Sequence, residues 1–413
     1  MKLFGGVVSI TGITFLMFSI FAIIAVGFAL GRITIKGVSL GDAGVFIVAL
    51  VFGCLFYGAL EAELPAYTDK ALKIIENLGL ILFVTSVGFI AGPKFFGNFK
   101  KNFKSYVVLA LVVILAGGLT AVGCIFFGKG VMGETNSDEF TAMIVGLLSG
   151  ALTSTPSFSA AKAAVGEAYE SAVSVGYGIA YIFGVIGVVL FVQIMPKILH
   201  ADMDVERKNF LESSAPGEKE AKKEKNLKLF NIDGHGFAAF ALAAIVGTFI
   251  GMIKIPLTSE GLSGTCFSLT TTGGCLFTSL VFGHFGHIGP VDITPKDSTL
   301  KIFKELGLIL FLVGAGVAGG SRFVELFKFS YFVYGMVMTV VPMIVGFLFA
   351  KYVLKLNLLN NLGSLTGAMT STPALGTLIG VSKTDDVASA YASTYPIALI
   401  AVVLVSQFIV ILF

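Results

Sequence analysis

Residues 150–156 read Gly-Ala-Leu-Thr-Ser-Thr-Pro and residues 367–373 read Gly-Ala-Met-Thr-Ser-Thr-Pro, each inside a hydrophobic stretch. In each copy a proline withholds a backbone donor and three hydroxyls add polarity, so a helix passing through is interrupted. Interrupted backbone is tolerated at membrane depth only where it is buried in protein or lines a watery cavity. Pro156 and Pro373 suit the first turn of a following half-helix, with Ser154, Thr155, Ser371 and Thr372 as capping hydroxyls. The exposed N-terminus of a half-helix presents unpaired N–H groups and roughly half a positive charge. Two such ends brought together make a site for an anion, and a substrate carboxylate held by N–H groups and hydroxyls fits it.

The expected substrate-binding residues are Ser149, Gly150, Thr153, Ser154, Thr155 and Pro156 in one copy, and Thr366, Gly367, Thr370, Ser371, Thr372 and Pro373 in the other. Small residues lead into each triplet (Gly146, Gly150 and Ala151; Gly363, Gly367 and Ala368), permitting close helix approach. One copy alone reads as a kinked membrane helix; two at matching positions point to a site. Neither break contains Asp or Glu, so the site is not built to hold a hard cation through carboxylates. Lys162 follows the first break, while Ile379 takes its place after the second, and snorkelling competes with substrate contact as its role. Tyr181 and Tyr395, and Ser86 in the glycine-rich end of an earlier segment, are further candidates to reach the cavity.

These breaks must be positioned by membrane-spanning elements. The 413 residues are 56% hydrophobic and 13% charged, with a mean hydropathy of +0.93, against roughly 25% charged in soluble domains. A net charge of +3 gives no reason to expect nucleic acid. Trp is absent, so Tyr and Phe must supply the interfacial belt. Cys54, Cys124, Cys266 and Cys275 lie in or near apolar segments without metal-ligand spacing and read as small buried hydrophobes. His284 and His287 read as loop or helix-end residues rather than a metal site. The first apolar run is too long for a signal-peptide core and ends in no clear cleavage site, so it reads as the first span.

Apolar segments fall near 7–31, 44–60, 74–92, 104–128, 140–166 and 172–195, then near 236–254, 264–285, 300–319, 328–352, 362–381 and 387–413. This predicts a first membrane repeat over 1–195, a hydrophilic linker over 196–235, flexible or partly helical, and a second membrane repeat over 236–413. Internal repetition goes beyond the number of segments. Lys73-Ile-Ile-Glu-Asn-Leu-Gly-Leu-Ile-Leu-Phe83 matches Lys301-Ile-Phe-Lys-Glu-Leu-Gly-Leu-Ile-Leu-Phe311, and Tyr177 and Tyr181 match Tyr391 and Tyr395. Order is kept while spacing drifts, as one duplication followed by loop trimming would leave.

Lys94, Lys100, Lys101 and Lys104 make the third connection cytoplasmic, with Arg32 and Lys36 on the same side. Glu134, Asp138 and Glu139 place the fourth connection outside. If the fifth segment dips in and returns, each half has about five crossings plus one re-entrant element, the linker is cytoplasmic, and the odd count inverts the second half. Lys351 and Lys355 then fall inside, whereas Arg322 and Lys328 fall outside, against the rule. Six full spans per half, in parallel, is the alternative. The expected fold class is therefore an all-α polytopic membrane protein of two inverted repeats.

Gly146-Leu-Leu-Ser-Gly-Ala-Leu-Thr-Ser-Thr-Pro156, Gly363-Ser-Leu-Thr-Gly-Ala-Met-Thr-Ser-Thr-Pro373 and the doubled Leu-Gly-Leu-Ile-Leu-Phe together resemble the aspartate:alanine exchanger family of bacterial secondary transporters. The likeness covers both membrane halves. It implies an elevator-type transporter of small carboxylates or amino acids, with the broken elements in a mobile domain and a homodimer built on a static scaffold. Many members carry folded regulatory domains between the halves, where this chain has only a short charged linker.

The expected function is exchange of a small carboxylate or amino acid across the cell (inner) membrane, without a cofactor. Sodium-coupled symport is the alternative, with Na+ or H+ open as the coupling ion. A channel would want a continuous polar lining, and an intramembrane enzyme a nucleophile with a base; neither is visible.

Overall fold

The computed structural model describes residues 2–3, 8–35, 38–39, 41, 43–95, 103–131, 137–214, 232–256, 266–384 and 387–413. Lys36, Lys100, Lys101, Glu134 and the Glu218–Lys225 run of the linker lie outside them. The first half contributes α1 (Gly12–Gly31), α2 (Ala43–Glu63), α3 (Thr68–Phe95), α4 (Phe103–Val131), α5 (Ser137–Ala151), α6 (Thr155–Ala164) and α7 (Glu170–Ile198). After α8 (Met203–Ser214), the second half contributes α9 (Phe237–Gly251), α10 (Thr270–Phe285), α11 (Asp297–Gly320), α12 (Phe323–Leu326), α13 (Phe329–Leu348), α14 (Leu358–Ala368), α15 (Thr372–Ser382) and α16 (Val387–Leu412). Among the described residues, four antiparallel pairs of two-residue strands precede α1 or lie in connections between helices. The chain is an all-helical multi-pass membrane protein.

Among the described residues, eight helices are long and apolar enough to cross a bilayer. That is fewer than the ten full crossings expected, because α9 and α10 have only 15 and 16 residues. At 1.5 Å per residue they reach about 22–24 Å, short of about 30 Å of hydrocarbon. The strand pair Ile255–Pro256 with Cys266–Phe267 extends this pair beyond its helical ends. Large apolar side chains face outward on the spanning helices, as on Phe21 and Leu119, which suits a surface meeting acyl chains. The same setting corrects one expectation: Cys54 is exposed on α2, while Cys124 and Cys275 are buried. A small apolar side chain need not be buried when the solvent is hydrocarbon.

Glycines bring the helices together, since lipid supplies no hydrophobic drive and close backbone contact must substitute. Gly79 and Gly307, equivalent in the repeated segment, meet each other. A Cβ on Gly79 would lie 2.4 Å from the Phe311 nitrogen, and one on Gly307 would lie 2.5 Å from the Phe83 nitrogen. Phe83 and Phe311 are themselves equivalent, so the contact is reciprocal and α3 runs antiparallel to α11. Gly44 packs on Gly27 and Gly31, and Gly274 packs on Gly247 and Gly251, so the α1–α2 pairing recurs as α9–α10. These helices form one group with α2 on α11 and α10 on α3; α4, α5, α7, α13, α14 and α16 form a second.

The broken elements are hairpins. Gly146 packs on Val173, and Gly150 packs on Tyr177 further along, so α5 and α7 run in the same direction. α6 must therefore return toward the end where α5 began. Arg322 confirms the closure, reaching Glu139 at the start of α5 (3.0 Å) and the Ala168 carbonyl just after α6 (3.4 Å). In the second half Gly363 packs on Val387 and Gly367 on Tyr391, so α14 likewise parallels α16. Both feet of this hairpin rest on α8: the Leu358 N–H donates to Glu206 (3.3 Å), and Arg207 Nε donates to the Ser382 carbonyl (2.9 Å).

Candidate functional site

The two hairpins enter from opposite ends of the bundle, because α7 starts beside the feet of the first and leads to α8 beneath the feet of the second. Their tips meet. Thr153 donates its hydroxyl to the Met369 carbonyl (3.0 Å), and Thr370 donates its hydroxyl to the Leu152 carbonyl (2.7 Å). The bonds join equivalent residues reciprocally. Thr153 and Thr370 adopt φ of 51° and 53°, a left-handed conformation that is unusual for a β-branched residue. The backbone turns are matched as well: Ser154 N–H bonds to the Ser149 carbonyl (2.9 Å) and Ser371 N–H to the Thr366 carbonyl (3.0 Å).

Behind the tips the two copies diverge. Ser154 caps α6 by accepting from the Ser157 N–H (3.3 Å), with proline in the first turn as expected. Ser371 occupies the same position but makes no side-chain cap, and its buried Oγ has no hydrogen-bond partner. The expected capping role of Ser371 is thus corrected to an available hydroxyl at the second tip. The side chain of Thr372 lies outside the described residues. Thr366 donates to the Gly363 carbonyl of its own helix (2.8 Å). Ser149 Oγ and Ser157 Oγ lie 2.7 Å apart, and Ser157 Oγ lies 2.6 Å from Ser406 Oγ on α16. This serine chain ties the first hairpin to the last helix, and residue types on one element could not have shown it.

Aromatic residues flank the tips unequally. Tyr177 stacks on Phe158 with ring centres 4.1 Å apart, and Thr155 Oγ1 lies 3.4 Å from the Tyr177 hydroxyl. Tyr181 packs against Tyr177 at 5.0 Å. In the second half the position of Phe158 is held by Leu375, and Tyr391 and Tyr395 line a cavity of about 280 Å³. Ser86 spends its hydroxyl on the Leu82 carbonyl of its own helix (2.7 Å). The neighbouring Gly88 faces α10.

Lys162 does not snorkel. Its side chain, 5% exposed, pairs with Glu76 on α3 at 2.6 Å. Glu170, 3.8 Å from Lys162, also holds Lys73 at 2.6 Å. The chain of charges lines a cavity of about 380 Å³ with Lys254 and Thr270 at the end of the bundle where the first hairpin has its feet. Among the described residues no group of three His, Cys, Asp or Glu side chains is arranged to hold a metal, and His284 sits in the last turn of α10.

A family profile described as a predicted permease membrane region of aspartate:alanine exchange type matches residues 19–197 and 239–411. The chain belongs to the aspartate:alanine exchanger family. The match leaves out only the ends and the segment containing α8 and the linker. Similar members include an uncharacterized transporter of Bacteroides thetaiotaomicron, 28% identical, with 95% of this chain and 97% of that protein covered. Another, from Desulfotalea psychrophila, is 24% identical over 95% of this chain and 96% of its own length. A putative transport protein of Edwardsiella ictaluri is 23% identical over 97% and 99%. The Bacteroides thetaiotaomicron alignment runs over 545 positions against 413 residues here, so that relative carries a stretch without counterpart in this chain.

Proposed function

We propose that this exchanger-family member is a secondary active transporter that moves a small carboxylate or amino acid through a site between the two hairpin tips. The observation that carries the reading is the reciprocal pair of bonds from Thr153 to Met369 and from Thr370 to Leu152. Two interrupted helices entering from opposite ends and meeting at their N-terminal turns place N–H groups, hydroxyls and two positive dipole ends around one point. The names of the relatives, all transporters or transport proteins, support the class.

Inversion of the repeats is part of the proposal, and the hairpins support it. A hairpin does not change sides, so each half crosses an odd number of times and its successor starts from the opposite face. The antiparallel pairing of α3 with α11 through Gly79 and Gly307 supports the same relation. The end bearing α8 carries Arg32, Lys197, Lys296, Lys351, Lys355 and Lys383, and it is assigned to the cytoplasm of a cell membrane. Arg322 and Lys328 lie at the opposite end, against the rule, where Arg322 pairs with Glu139 and Glu325.

Motion of the hairpins with α4, α7, α13 and α16 against the group containing α3 and α11 would expose the site alternately. A cavity approaches the tips from each end: one of about 280 Å³ beside Leu375 in the cytoplasmic half, and one of about 380 Å³ lined by Lys162 and Glu76 in the other, with the Phe158–Tyr177 stack on the first-hairpin side. A homodimer supporting the static group is part of the proposal.

Purified protein in liposomes tests it with labelled L-aspartate, L-alanine and succinate, with or without internal substrate and a Na+ gradient. Uptake that needs internal substrate establishes exchange, and uptake that needs the gradient establishes sodium-coupled symport. No uptake of any probe under either condition would remove the reading.

A further inference from the structure

Glu76 and Lys304 hold the same position in the repeated Lys-Ile-x-x-x-Leu-Gly-Leu-Ile-Leu-Phe segment, at matching depth on α3 and α11. Their surroundings differ. Glu76 is paired with Lys162 at 2.6 Å. The counterpart of Lys162 is Ile379, so on the other side of the tips the partner is lost and the sign of the charge is reversed. Among the described residues Lys304 makes neither an ion pair nor a hydrogen bond.

Lys304 is half-buried and lines the 280 Å³ cavity with Val87, Ile90, Leu375, Tyr391 and Tyr395; among the described residues it is the only charged one of that lining. Leu375 lies in the first turn of α15, which connects the cavity to the second tip, where Ser371 Oγ is buried and unpartnered. The two tyrosines stack at 5.0 Å, and both line the cavity. Among the described residues, this partly desolvated ammonium facing apolar walls has no counter-charge to compensate its burial. An anion arriving from the cytoplasm supplies it, and a ligand with two carboxylates can meet Lys304 with one and the N-terminus of α15 with the other.

We propose that this cavity is an anion-selecting cytoplasmic vestibule in which Lys304 is the counter-ion for one carboxylate of an acidic amino acid or dicarboxylate. The proposal deepens the transport reading and rests on it. It makes the carrier asymmetric: acidic substrate is selected on the cytoplasmic face, while the equivalent outer position is already neutralised internally.

The test measures half-saturation separately from each face, using inside-out and right-side-out liposomes with succinate, L-aspartate and L-alanine as probes. Lys304→Gln raises the cytoplasmic half-saturation for succinate and L-aspartate by about tenfold, equivalent to about 1.4 kcal/mol. It leaves L-alanine and the outer face within about twofold. Lys304→Arg retains most of the wild-type preference, and elution volume with thermal melting verifies that each variant is folded. Equal changes at both faces, equal changes for all three probes, or no change overturn the proposal while leaving transport intact. Wild-type protein that carries only L-alanine also overturns it. Wild-type protein that carries none of the probes removes the transport reading and this proposal together.

Discussion

Lys162 on the arm of the first hairpin and Glu76 on α3 form an ion pair of 2.6 Å whose side chains are 5% and 9% exposed. The pair connects the two helix groups, so it both stabilises this arrangement and must be broken for the groups to move apart. Lys162→Met strands a buried carboxylate and is expected to cost on the order of 3 kcal/mol, whereas Lys162→Met with Glu76→Leu recovers most of the loss. Thermal melting of both variants checks this. A double variant no more stable than the single one would show that the charges do not act as a pair.

The tips yield the second prediction. Thr153→Val with Thr370→Val keeps side-chain shape but removes both reciprocal donors, leaving the Met369 and Leu152 carbonyls without them. Each bond contributes about 1 kcal/mol net, so the variant remains folded while uptake falls at least about tenfold. Wild-type uptake would separate the crossing from the transported site. Thr155→Val with Thr372→Val tests the neighbouring positions in the same assay and is expected to abolish uptake.

A third prediction concerns close approach. A Cβ on Gly150 would lie 2.5 Å from the Tyr177 carbonyl and 2.8 Å from the Tyr181 nitrogen, both rigid backbone atoms. Gly150→Val should therefore separate α5 from α7 and prevent recovery of monodisperse protein. Gly376→Ala, where a Cβ meets nothing within 4 Å, should purify normally. Comparable yields of the two would show that the α5–α7 contact is looser than the backbone distances imply.

At the start of the second half, Asp233 accepts from the N–H groups of His235 (2.9 Å), Gly236, Phe237 (3.0 Å) and Ala238 (2.8 Å), anchoring the first turn of α9. These bonds hold its carboxyl down at about 2 from 3.8. A depressed folded-state pKa stabilises above the unfolded value and ceases to do so as pH falls through the folded one. Asp233→Asn should lower the melting temperature at pH 7, with the difference from wild type shrinking only below about pH 4 and closing near pH 2. A difference independent of pH would assign the effect to shape rather than charge.

The membrane class, the six segments in each half and both broken helices were legible in the sequence, because proline and hydroxyls in an apolar run have few tolerable settings. The return of the first hairpin was expected from the Thr153–Pro156 break at the middle of its segment, and the glycines along α5 and α7 supply the direct geometry. The partner of Lys162 was not legible: Glu76 is far away in sequence and becomes its neighbour only when α6 folds back against α3. Nor could the sequence separate Ser154 from Ser371, identical in context yet one bonded and one not. The short α9 and α10 escaped notice because their apolar runs continue into connecting strands, where hydropathy does not fall at the helix end.

α8 grips the second hairpin by both feet, through Glu206 and Arg207, and it is the element from which the linker departs. The first hairpin is gripped instead by Arg322, between α11 and α12. Although the tips are near-twins in composition, their outer ends are therefore held differently: the second hairpin rests on a helix that follows the first half, and the first on an arginine of the second half, so each repeat anchors the broken element of the other.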